Sequence, residues 1–153
     1  MSAAMQVAAA TAFLTCAVAV TQAQPASVAL PRTLGDGVYT AEQAARGRAV
    51  YNVRCAECHM TDLAGHEYAG ALAGYGFQLK WQDATLAELF GRIRSMPLGR
   101  GGSLSGQEYL DILAYVLQKN TYAEGRTELT TAVVSKWPPI RIERVLRSPD
   151  PDR

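Results

Sequence analysis

Residues 55–59 read Cys55-Ala56-Glu57-Cys58-His59. Two cysteines three apart share a face of one helical turn. Their sulfurs are then close enough to form thioethers with two vinyl groups of one porphyrin, and the histidine that follows can bring a ring nitrogen under the iron. The pattern is the attachment signature of a c-type haem. Other readings compete with it. A structural zinc site wants four ligands, usually in two spaced pairs; His66 is the only further candidate, and adjacent Cys58 and His59 would both have to face one metal. A thioredoxin-like redox pair belongs at a helix start inside a strand-helix-strand pattern, an alternation missing from this sequence. A chance match is the blandest option, but Cys55 and Cys58 are the only cysteines outside an apolar leader. Haem attachment accounts for all three residues, with Cys55 and Cys58 as thioether donors and His59 as proximal iron ligand.

At 153 residues the chain has room for one domain and little more. Lys and Arg number 15 against 14 Asp and Glu, so no global field argues for nucleic acid. Residues 1–23 carry no charged side chain. Within them Val7 to Val20 is apolar and alanine-rich, and Thr21-Gln22-Ala23 suits signal-peptidase cleavage. A signal peptide over 1–23 is expected, and export fits the motif because haem-c attachment is an extracytoplasmic process in bacteria. No Lys or Arg precedes the apolar run. The alternative is an uncleaved anchor, the one route to a membrane, but Ala3 to Val20 is barely long enough for a span and is diluted by Gln6, Thr11 and Thr15. Phe13-Leu14-Thr15 is a poor lipoprotein processing sequence, so Cys16 reads as a small apolar residue of the leader.

After a linker over 24–36, the motif sits in a domain expected over 37–120. Thr40 and Gln43 form a capping box that opens a first helix from Ala41 to about Arg54. Gly47 inside that helix costs about 1 kcal/mol. It shares a face with Tyr51 and suggests a flat spot where another helix crosses closely. Thr61 to Lys80, with Gly65, Gly70, Gly74 and Gly76, reads as a loop long enough to wrap a cofactor. Phe77, Leu79 and Trp81 supply apolar surface there, and the Trp81 indole N–H is a candidate partner for a haem propionate. Thr85 and Glu88 box a second helix carrying Leu86, Leu89, Phe90 and Ile93, which must end near Ser95 because Met96 precedes Pro97. Ser105 and Glu108 box the last helix, about Gly106 to Lys119, with Leu110, Leu113, Ala114 and Leu117 on one stripe and Asn120 as its stop. Gly47 and Tyr51 are expected to meet this helix near Ile112 and Tyr115. Residues 121–153 form a C-terminal extension whose place, over the core or against a partner, stays open; Ile140-Arg141-Ile142 alternates like a short edge strand.

Met96 is the candidate distal ligand. A thioether suits iron and raises the reduction potential when paired with histidine, although methionine more often fills core gaps. Met1 and Met5 lie in the leader and Met60 adjoins His59, which leaves Met96 on a separate loop able to cover the opposite face. His66 is the lesser alternative.

Together these elements resemble a class I c-type cytochrome. The resemblance rests on Tyr39 to Gly47, Tyr51, Cys55, Cys58 and His59, Leu63-Ala-Gly65, Ala71 to Gly74, Phe77, Trp81, Leu89-Phe90, Met96-Pro97, Ser103 to Ser105 and Tyr109 to Tyr115. More narrowly, it is similar to the small bacterial cytochromes c found beside, or fused to, quinoprotein dehydrogenases. The resemblance covers about Gly37 to Asn120. It implies an all-α cytochrome c fold, three main helices plus loops wrapped around one covalently bound haem c, with His59 and Met96 as iron ligands. Such cytochromes usually place a proline where this chain has Gly70, and its carbonyl accepts a hydrogen bond from the proximal histidine. A glycine carbonyl can accept the same bond from a less rigid loop. The function implied is that of a periplasmic one-electron carrier whose partners are redox proteins, a dehydrogenase donor and a respiratory acceptor, and not an enzyme in its own right. Arg92, Arg94 and Arg100 are the only charges between Glu88 and Glu108 and form a candidate docking patch for an acidic partner. Two alternatives stand beside it: an open-site haem sensor or peroxidase if Met96 does not bind iron, and a subunit held permanently by a dehydrogenase through the extension.

Overall fold

A computed structural model describes residues 30–144. The expected leader with Cys16, and residues 145–153, lie outside the described residues. Among the described residues the chain forms a 3-10 turn (Leu34–Asp36) and six helices: α1 (Ala41–Arg54), α2 (Ala56–His59), α3 (Gly74–Trp81), α4 (Leu86–Arg94), α5 (Gly106–Lys119) and α6 (Thr131–Val134). There is no strand among them, only two isolated bridges. The three main helices are the expected ones, and the architecture is the all-α cytochrome c fold.

Local chemistry sets the ends of the long helices. The Thr85 and Ser105 hydroxyls accept from the N–H groups of Glu88 and Glu108, whose carboxylates reach back to the backbone N–H of Thr85 and Ser105 at 2.7 and 2.8 Å. Thr40 likewise accepts from Gln43 N–H at 3.2 Å, but the Gln43 side chain does not return to close the box. It is fully buried and donates to the Leu129 carbonyl while accepting the Leu129 N–H. An amide out of contact with water has to find both partners, and the extension supplies them.

The α1–α5 crossing is the centre of the fold. A Cβ on Gly47 would overlap the Asp111 carbonyl, so the two backbones touch where no larger residue fits. One turn on, the Tyr51 and Tyr115 rings pack with centroids 5.3 Å apart. Arg46 beside the crossing binds Asp111 at 3.0 and 3.1 Å and Glu128 of the extension at 2.8 Å. The stripe expected on α5 is too narrow: Tyr109 to Leu117 is buried without interruption, as in a helix covered on every side.

Two stretches read as irregular are ordered by distant residues. Gly74–Trp81, inside the expected loop, is a helix. Asn120, buried at the end of α5, accepts the Gly74 N–H at its start and donates to the Leu72 carbonyl. The extension folds back onto the domain. Tyr122, Leu129, Val133, Val134, Ile140 and Ile142 are buried in the same core as α1, α4 and α5. Core packing also begins ahead of Gly37, at Leu34 inside the expected linker. Ile140 and Ile142 point inward and Arg141 outward, as their alternation predicts, but a single bridge from Arg141 to Thr85 takes the place of a strand.

Candidate haem site

A cavity of about 580 Å³ opens between the Tyr51–His59 segment, the loop around His66–Leu72, the end of α3, the α4–Met96 segment and α5. That volume lies within the ~300–1,000 Å³ of cofactor sites. Cys55, Cys58, His59 and Met96 all line it, as do Trp81, His66, Arg92 and Arg100. Two expectations are revised. Phe77 is fully buried in the core and Leu79 faces solvent, so of the three apolar residues only Trp81 reaches the cavity wall. Arg94 also lies off the cavity, its guanidinium 5.9 Å from the Phe90 ring centroid. The arginine cluster therefore divides: two arginines at the cavity, one on the helix surface.

The backbone breaks helicity at Cys55, between α1 and α2, which turns the Cys-x-x-Cys-His segment across the cavity mouth. Tyr51 Oη donates to the Met60 carbonyl at 2.7 Å and ties the end of that segment to α1. Burial pushes the Cys55 thiol up to about 11, opposite to the depressed thiolate of a redox pair. Among the described residues no three His, Cys, Asp or Glu side chains gather as a metal-holding group, which is what zinc would require.

His59 Nδ1 lies 2.9 Å from the Gly70 carbonyl. A carbonyl only accepts, so Nδ1 carries the proton and Nε2 is the nitrogen left for a metal. The loop needs no proline to hold Gly70 there. His66 N–H to Ala69 carbonyl and Ala69 N–H to His66 carbonyl close a tight pair at 2.8 and 3.0 Å, and Leu72 N–H binds the Leu63 carbonyl at 2.8 Å. His66 thus belongs to the loop that fixes His59. Met96 arrives from a separate element. Its N–H binds the Ile93 carbonyl at 3.0 Å and its own carbonyl accepts from Tyr109 Oη at 3.0 Å.

The hydroxyls of Tyr51 and Tyr109 escape the sequence pattern, in which both residues serve only as packing. The available signal is tyrosine in place of phenylalanine at a buried helical position, because a buried hydroxyl wants a partner. Arg54, Lys80, Arg92 and Arg100 line the cavity against one carboxylate, Glu57, and both ion pairs among the described residues belong to Arg46. That surplus of cations, with two thiols, an oriented imidazole and a thioether, fits a cofactor that carries iron and two carboxylates.

Residues 42–116 match the family model described as cytochrome C oxidase, cbb3-type, subunit III. No curated protein and no solved structure matches the chain. The family match, the helical fold of the described residues and the chemistry of the cavity all support a c-type cytochrome domain at residues 42–116, which implies covalently bound haem c, electron transfer and redox protein partners.

Proposed function

We propose that the protein is an exported, periplasmic one-electron carrier with a single His59/Met96-ligated haem c, passing electrons from a dehydrogenase, of the quinoprotein class, to the respiratory chain. The observation that carries this reading is that His59, oriented by Gly70, and Met96, held by its backbone at both ends, line one cavity from separate elements. The bound haem supplies the Fe(II)/Fe(III) couple, and the protein sets its potential through the ligands, burial and the hydrogen bonds behind them. Cys55 and Cys58 anchor the group. Trp81, on the cavity wall, would offer its indole N–H to one of the haem carboxylates. With His59 and Met96 both bound to the iron, no position would be left there for a substrate.

The oxidised protein is expected to show the weak long-wavelength band of methionine sulfur on ferric haem. Met96→Ala should abolish that band and let the ferrous form bind carbon monoxide at neutral pH. A high-spin spectrum without the band in the unaltered protein overturns the carrier reading in favour of a sensor or peroxidase.

Arg92, Arg94 and Arg100 are exposed around the Met96 segment. We propose that they steer docking of an acidic partner. The association rate should then fall as ionic strength rises from about 0.01 to 0.15 M, where the Debye length shrinks from ~30 to ~8 Å. A rate indifferent to salt removes the patch from the mechanism.

A second reading has a specific support. The matching family is described as an oxidase subunit, so a permanent place in a respiratory complex competes with a diffusing carrier. No helix among the described residues is long and apolar enough to cross a membrane. Co-purification with a larger complex at high salt distinguishes the two.

A further inference from the structure

The described residues of the extension contribute nothing to the cavity wall, yet their last turn grips the helix that leads to Met96. Ile140 carbonyl accepts the N–H of Leu86 at 2.8 Å. Leu86 is the first residue of α4, and its N–H is one of the groups that a helix cannot satisfy internally. Ile142 N–H donates to the Ala84 carbonyl at 2.8 Å, and Asp83 N–H donates to the Ile142 carbonyl at 3.0 Å. Arg141 donates to the Asp83 carbonyl at 2.7 Å and Arg144 to Gln82 Oε1 at 2.9 Å. Asp83 itself stands at φ +68, a left-handed conformation uncommon for residues other than glycine, asparagine and aspartate. The corner between Trp81 and α4 is therefore kept in shape by backbone bonds from the extension. Ile140 and Ile142, 1 % and 0 % exposed, hold those bonds away from water.

What lies beyond the corner gives this grip its meaning. Leu89, Arg92, Ile93 and Met96 all line the cavity, at the three- and four-residue spacing of one helical face. A helix of nine residues is a short stiff rod, so a change of angle at Leu86 moves that whole face. Resting on the assignment of Met96 to iron, we propose that residues 140–144 are a positioning element for Met96. They set the pitch of α4 from its far end, while Tyr109 holds the near end. The extension thereby controls how firmly the sixth position of the iron stays closed without touching the cofactor.

The test uses the full holoprotein and three variants. Ile142→Pro removes the donor to Ala84. A chain ending at Pro139 removes the whole grip but keeps Tyr122, Leu129, Val133 and Val134. Ile142→Val keeps both the N–H and most of the burial. Ile142→Pro and the shortened chain are expected to retain covalent haem and helical far-UV signal but to lose intensity in the methionine–iron band. Their ferrous forms should bind carbon monoxide on the order of tenfold faster, the size of one or two lost net hydrogen bonds. Ile142→Val should behave as the full chain. Variants that melt earlier yet keep the band and the carbon monoxide rate unchanged would show that the extension only fills space, and would overturn the proposal. Absence of the band from the full chain overturns the ligand assignment and this proposal with it, and is told apart because it appears before any variant is made.

Discussion

A chain ending at Asn120 is expected to be unfolded at 25 °C, although it keeps both proposed iron ligands, His59 and Met96, and the whole of α1 to α5. Removing the extension takes six buried apolar side chains out of the core: Tyr122, Leu129, Val133, Val134, Ile140 and Ile142. Each contributes about 1.5–3 kcal/mol, and together they match or exceed the ~5–15 kcal/mol by which a whole domain is stable. The cut also strands polar groups. Gln43, 0 % exposed, loses both of its partners on Leu129, and an orphaned buried amide costs about 1–3 kcal/mol more. Tyr39, whose burial already pushes its hydroxyl up to about 12, loses the Tyr122 carbonyl at 2.6 Å. Far-UV circular dichroism and a thermal melt of the shortened holoprotein check this. A melting temperature within a few degrees of the full chain would mean that the extension is an accessory. The result also bears on partner binding, because loss of a partner on deleting the extension cannot by itself identify a docking element in a chain that no longer folds.

The second large effect is expected at Gly47, where the sign of the change is the informative part. Glycine inside a helix is about 1 kcal/mol worse than alanine, so Gly47→Ala should stabilise α1 if propensity alone matters. The crossing requires the opposite. A Cβ there meets the Asp111 carbonyl and the Ile112 nitrogen, which are backbone atoms and cannot rotate away. The helices would have to separate, loosening the Tyr51–Tyr115 pair and the Arg46 bridge to Asp111. Gly47→Ala should therefore destabilise, and Gly47→Val should cost about 3 kcal/mol or more, lowering the melting temperature by on the order of 10 °C. Denaturant titration of both variants gives the sign and the size. A stabilised Gly47→Ala would mean that the crossing relaxes.

What could be read from residue order alone follows the range of the interaction behind it. The Thr85–Glu88 and Ser105–Glu108 boxes are complete within four residues, and both appear as read. The Gly47 crossing was legible because a costly residue in a helix calls for a packing reason. The haem motif was legible because three residues of fixed type and spacing have few other uses. Gly74–Trp81 was hidden because the residue that caps it, Asn120, is 46 positions away. The same holds for Gln43, which completes a local box by pattern but answers to Leu129 across 86 positions. The three arginines lie close together in sequence, but helical geometry sends Arg92 to the cavity and Arg94 to Phe90. Proximity along the chain says nothing about which face a side chain takes.

The pairing of Gln43 with Leu129 also has a consequence in time. Helical proteins usually fold quickly because their contacts are local. Here the α1 side chain and the extension must close a loop of 86 residues before either hydrogen bond of the Gln43 amide forms, and the chain entropy of that closure is lost before any contact repays it. The helices of this protein can appear at once on leaving denaturant, while its core must wait for the extension to come home.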